Sequence, residues 1–149
     1  DYIMVLKKPN ESKTSNITDN PTLRPLLILT QHSNGEFIME TINDKTVLCV
    51  NCGGSMGDPF MEVKIKENQF SIEHHGGGRN QWSRITTFKY DVTKKGWLLH
   101  KDDYESIDMH NQSHFSITLS SGSAFFVAIN AYEGNCRSEL SNIDHFIIN

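Results

Sequence analysis

From Met61 to Tyr90 the chain alternates apolar and polar residues with a period of two, and no other feature constrains the fold as strongly. Met61, Val63 and Ile65 alternate with Glu62, Lys64 and Lys66, and Phe70 and Ile72 alternate with Ser71 and Glu73. Successive side chains of a strand point to opposite faces, so each segment offers one face to a core and one to water. The break at Glu67-Asn68-Gln69 joins the two as a hairpin. After Gly76-Gly77-Gly78 the pattern resumes, with Trp82, Arg84, Thr86, Phe88 and Tyr90 on one face and Ser83, Ile85, Thr87 and Lys89 on the other. A second hairpin turns over Thr93 to Gly96 into Trp97-Leu98-Leu99.

The rest of the chain follows the same logic. Tyr2 to Leu6 is a β-rich apolar strand that ends before Pro9, where a ladder donor is lost. Asn10 to Asn20 is polar and precedes Pro21 and Pro25, the mark of an exposed, mobile loop. Leu26 to Leu29 is a continuous apolar run, read as a strand buried on both faces, and Asn34-Gly35 turns it into a strand over Phe37 to Ile42. Asn43-Asp44-Lys45 is read as another turn, leading into Thr46 to Val50. Asp102 to His114 reads as a polar loop or irregular edge, Phe115 to Leu119 as a strand, and Ala124 to Ile129 as the last clear strand. Residues Asn130 to Asn149 form either a short helix or an edge strand. Nine or ten short strands with almost no helical period predict an all-β fold, an antiparallel β-sandwich or open barrel. At 149 residues this is one globular domain spanning the chain, long enough for a core without staples.

Charge and hydropathy remove several function classes. A net charge of −4 provides no basic surface for nucleic acid. No run of eighteen apolar residues spans a membrane, and the basic-then-apolar start of a signal peptide is missing. The opening Asp1-Tyr2-Ile3 reads as the start of a processed or trimmed chain, which allows a lipid anchor upstream. Three cysteines, Cys49, Cys52 and Cys136, exclude a fully paired intrachain framework. Either Cys49 bonds Cys52 and Cys136 is free, or Cys136 takes one of the pair; both favour an oxidising compartment.

The dense stretch Val47 to Tyr90 holds the candidates for chemistry. Cys49-Val50-Asn51-Cys52 has C-x-x-C spacing, yet it leaves a strand for Gly53-Gly54 instead of opening a helix, so the dipole that stabilises a redox thiolate is absent. Neither glycine cluster matches a phosphate-binding fingerprint, so Gly53, Gly54, Gly57 and Gly76 to Gly78 read as bulges and turns, with Asp58 bonding its own backbone. His74 and His75 are adjacent on a strand and point to opposite faces, so they do not share a metal without a bulge. His75, Arg79, Trp82 and Arg84 form the expected partner-binding surface, because Trp and Arg carry interface energy out of proportion to their number. The competing reading packs Trp82 in the core and lays Arg84 along a sheet face. His100, His110, His114 and His145 with the acids of Asp102 to Asp108 lack metal-site spacing. No metal, cofactor or catalytic residue is expected, and no G-x-S-x-G is present.

Several motifs, Arg24-Pro25-Leu26-Leu27-Ile28, Val47-Leu48-Cys49, Cys52-Gly53-Gly54, Gly57-Asp58-Pro59-Phe60, Phe70 to His74, Gly76-Gly77, Trp82-Ser83-Arg84 and Thr87 to Tyr90, resemble a family of mostly uncharacterised bacterial secreted proteins or lipoproteins. In that family a calcium-loop-like acidic segment tends to precede the stretch matching Asp1 to Leu6. The resemblance covers the first two-thirds of the chain, implies a periplasmic or extracellular location, and transfers no catalytic residues. The resulting expectation is a non-enzymatic extracytoplasmic domain that binds a protein partner, such as an immunity protein or inhibitor of a secreted toxin. The alternative is a cell-envelope carbohydrate-binding module or hydrolase using Trp82, Trp97 or Tyr104 as stacking platforms.

Overall fold

Strands dominate the computed structural model, which describes residues 2–14, 21–22 and 24–120. In chain order these are β1 (Tyr2–Val5), β2 (Arg24–Gln31), β3 (Phe37–Val47), β4 (Phe60–Lys66), β5 (Gln69–Gly77), β6 (Asn80–Asp91), β7 (Gly96–Asp108) and β8 (His114–Ser120). A four-residue helix, α1 (Glu11–Thr14), and a 3-10 turn at Gly54–Met56 interrupt them. The strands form two antiparallel sheets, ordered β1-β2-β3 and β4-β5-β6-β7-β8. Leu26, Ile28 and Val47 of the smaller sheet meet Phe70, Ile72 and Phe88 of the larger, so the architecture is an open β-sandwich, as the alternation predicts. Trp97 joins this core with its ring 5.0 Å from Phe70 and 5.5 Å from Tyr90. The expected strand Ala124 to Ile129, the segment Asn130 to Asn149, and Cys136 lie outside the described residues.

Four local expectations need correction. Asn43-Asp44-Lys45 does not reverse the chain: β3 runs through it as a bulge, in which Asn43 Oδ1 accepts hydrogen bonds from the backbone of Lys45 and Thr46 at 2.8 and 2.7 Å. The turn chemistry is present, but the neighbouring strand holds the chain extended. Asp102 to His114 is not a loop up to Asp108, because β7 continues there with polar residues that find cross-strand partners. Thr118 Oγ1, for example, donates to Asp103 at 2.7 Å. The run Leu26 to Leu29 is fully buried only at Leu26 and Ile28; Leu27 and Leu29 point to the other face and are half-buried. The Asn10 to Asn20 segment is not exposed at Glu11, which is buried.

Glu11 is buried because it holds Arg24. Arg24 is fully buried at the start of β2, donating to Glu11 from Nε and a terminal nitrogen at 3.0 and 2.6 Å and to both oxygens of Asp58 at 2.8 Å. Asp58 also accepts from the Phe60 backbone at 3.1 Å, the local turn bond its position predicts. One guanidinium thus ties the β1–β2 connection, the smaller sheet and the entry to β4 of the larger sheet. Hydrogen bonding from Arg24 lowers the Glu11 pKa against the opposing effect of burial. Burial acts to raise the Asp58 carboxyl, and the bonds from Arg24 and Phe60 outweigh it to leave a lowered pKa. Burial likewise acts to lower Arg24, and its bonds to Asp58 and Glu11 raise it instead.

Removing the guanidinium strands two carboxylates, one of them buried. Arg24→Met is expected to lose about 3–5 kcal/mol in urea unfolding. Lys7, exposed and 3.7 Å from Asp58, is the control, and Lys7→Ala should change stability by less than about 1 kcal/mol.

Candidate functional site

The two glycine clusters meet. Beyond β3, a Cys49–Cys52 disulfide with Cα atoms 5.0 Å apart closes a tight loop, which leaves neither cysteine for Cys136. Gly53 then accepts a hydrogen bond from the Gly77 backbone at 2.7 Å, Ser55 Oγ donates to the Gly77 carbonyl at 2.8 Å, and the His75 backbone donates to Pro59 at 2.8 Å. The loop therefore lies against the edge of β5 where β4 stops. A Cβ on Gly76 would stand 2.4 Å from a Trp82 ring carbon and 2.9 Å from the Gly53 Cα, so the approach requires glycine. Gly77 has φ +110°, a second position closed to side chains. The clusters are more than separate bulges: together they form a backbone-to-backbone contact under the Trp82 indole.

Trp82 is half-buried and stacks on Tyr104 with ring centroids 6.3 Å apart and planes 21° from parallel. A groove of about 170 Å³ opens beside it, lined by His75, Gln81, Trp82, Ser83, Glu105 and Ile107, with Met56 of the 3-10 turn as a wall. Arg79 stands exposed on the β5–β6 turn, its Nε 3.5 Å from Asp108, and its carbonyl accepts from the Met109 backbone at 3.0 Å. Of the four expected surface residues, His75 and Trp82 share the groove and Arg79 lies on the adjoining turn. Arg84 does not reach the surface.

Arg84 is buried against Asp102, donating from Nε at 2.9 Å and from a terminal nitrogen at 2.5 Å, while Thr86 Oγ1 adds a third bond to Asp102 at 3.2 Å. The pair is not legible in residue order, because Asp102 opens a polar run that reads as a loop or irregular edge. In a strand, Asp102 falls on the face that Arg84 and Thr86 share. His74 lies beside them, 1% exposed, while His75 points the other way and is exposed, as their adjacency predicts. His74 Nε2 accepts from the Leu48 backbone at 3.2 Å, which puts the proton on Nδ1, an atom with no hydrogen-bond partner among the described residues. Burial, and then the Arg84 charge, push the His74 pKa down to about 4. Trp97, expected as a stacking platform, lies in the core and is no part of the groove.

Tyr104 and Gly76 lie against the Trp82 indole, and the groove beside it offers an imidazole, an amide, a hydroxyl and a carboxylate, which are recognition groups. Among the described residues no three His, Cys, Asp or Glu side chains converge as a metal site, and no helix is long and apolar enough to cross a membrane. Comparison with family models, curated proteins and solved structures finds no match to this chain.

Unfolded His74 takes up a proton near pH 6.5 and the buried imidazole resists until about pH 4, so the unfolded state binds more protons between those values. Its contribution is complete above pH 6.5 and falls by about 3 kcal/mol as the pH drops to 4. His74→Gln should flatten that limb in urea titrations run across the range. Gly76→Ala is expected to cost roughly 1–3 kcal/mol and shift the Trp82 fluorescence. Gly96→Ala, whose Cβ would meet only the Lys94 carbonyl at 3.9 Å, should cost less than about 1 kcal/mol.

Proposed function

We propose that this chain is a non-enzymatic extracytoplasmic binding domain whose partner is a protein. One observation carries the reading: Trp82, Met56 and Ile107 line the groove at one end of the larger sheet, and Arg79, bonded through its carbonyl to the Met109 backbone, stands on the adjoining turn. Arg79, Met56, Ile107 and Met109 are exposed there. Tryptophan, methionine and arginine are the residues that protein interfaces enrich, and a half-buried aromatic with a firm backing is the usual form of an energetic anchor. The glycine contact and the Tyr104 stack provide that backing. The disulfide supports a periplasmic or extracellular location, where such bonds persist. An anchor upstream would hold the domain at the envelope. The narrower form of the proposal is an immunity or inhibitor protein that plugs the cleft of a secreted toxin.

The polar groups beside Trp82 favour a second reading. Gln81, Ser83 and Glu105 beside Trp82 also suit hydrogen bonds to the hydroxyls of a sugar, the chemistry of an envelope carbohydrate-binding module.

Calorimetric titration with the product of a toxin gene neighbouring this one tests the first reading. Submicromolar binding is expected, weakened at least about 30-fold by Arg79→Ala or Trp82→Ala. Lys66→Ala, at the opposite end of β5's partner strand, should leave it unchanged. Absence of binding, or binding indifferent to Trp82, overturns the protein reading. Quenching of Trp82 fluorescence by peptidoglycan fragments would favour the sugar.

A further inference from the structure

The outer face of the smaller sheet is apolar. Tyr2 pairs with Leu29 and Met4 with Leu27 across β1–β2, while Leu27 pairs with Ile42, Leu29 with Met39 and Gln31 with Phe37 across β2–β3. These registers put Tyr2, Met4, Leu27, Leu29, Met39 and Ile42 on one side, opposite the core-facing Leu26 and Ile28. The Tyr2 and Phe37 rings meet on that side with centroids 5.0 Å apart. Tyr2, Met4, Phe37, Met39 and Ile42 are nevertheless between 42% and 57% exposed, and among the described residues nothing covers them. Across these pairs the only polar side chain on the face is Gln31, at one corner.

A soluble chain seldom leaves such a face to water. The larger sheet shows the contrast: its outward positions Lys64, Ser71, Thr87, Lys101 and Ser120 line up as polar neighbours across all five strands. The solvent-facing pattern was therefore available to this fold and is absent from the smaller sheet.

We propose that a second copy of this chain covers the face, two smaller sheets packing back to back about a twofold axis. Half-exposed side chains of this size offer roughly 100 Å² each, so the five bury about 500 Å² per copy and about 1,000 Å² in a pair, the area a specific interface has to reach. The lack of charge on the face suits an isologous contact, in which the same patch meets itself and any charge would meet its own like. Flat apolar sheet faces interdigitate at about 10 Å, as the two sheets of one sandwich do. The surface is separate from the Trp82 groove, so the proposal stands independently of the function proposed above.

Light scattering on the full 149-residue chain after gel filtration tests it. The expected mass is twice 17.0 kDa at tens of micromolar, falling towards the single-chain mass on dilution. Met39→Glu and Met4→Glu each place two carboxylates in the pair interface and should weaken association at least about 100-fold. Both side chains are exposed in a single copy, so the variants should keep the parent's circular dichroism, and their urea midpoint should match the parent's at concentrations where the parent is a single chain. Lys64→Glu, on the larger sheet, should leave the dimer intact. A single-chain mass at every concentration overturns the proposal and assigns the face to another segment or partner. A dimer indifferent to Met39→Glu and Met4→Glu overturns it too, since association would then use a different surface.

Discussion

The sandwich depends on one buried cation. Arg24 is taken wholly out of water, which costs several kcal/mol unless its donors are satisfied, and Glu11 and Asp58 satisfy them from two separate connections. The smaller sheet carries Arg24, the loop into the larger sheet carries Asp58, and the β1–β2 connection carries Glu11. Hydrophobic contacts among Leu26, Ile28, Phe70, Ile72 and Phe88 hold the sheets together without fixing how they are placed, because apolar packing is non-directional. The fork geometry of the guanidinium adds direction.

A second polar pair repeats the device within one sheet. Arg84 and Asp102 bond on the core-facing side of β6 and β7, next to a neutral His74. Together with the glycine contact beneath Trp82, this fills the end of the sandwich with directional interactions where the aliphatic core runs out. The candidate groove sits above that rigid end. Its indole is backed by Tyr104 on one side and lies over Gly76.

Much of the fold was legible in residue order because a period of two is a local signal. The hairpins of β4–β5, β5–β6 and β6–β7 fall where alternation and turn residues place them. The misreadings share a cause. Asn43-Asp44-Lys45 carries turn chemistry but is kept in β3 by pairing with β2, and Asp102 to Asp108, a polar run, is kept in β7 by pairing with β6 and β8, where Asp102 and Asp103 bond to Arg84 and Thr118. Of the candidate site, His75, Arg79 and Trp82 were legible as neighbours along the chain. Met56 and Glu105, which line the same groove, come from elements distant in sequence and carry no local mark.

The sequence by itself determined the all-β class, the opposite facing of His74 and His75, and the closeness of Cys49 to Cys52, since each follows from spacing along one stretch of chain. Only the tertiary structure decided that Arg84 is buried instead of displayed, that Trp97 is core and Trp82 is not, that Gly53 meets Gly76, and that the smaller sheet turns an apolar face outward. Those outcomes depend on which strands become neighbours and which faces the second sheet covers, and neither is written in the period of any single strand.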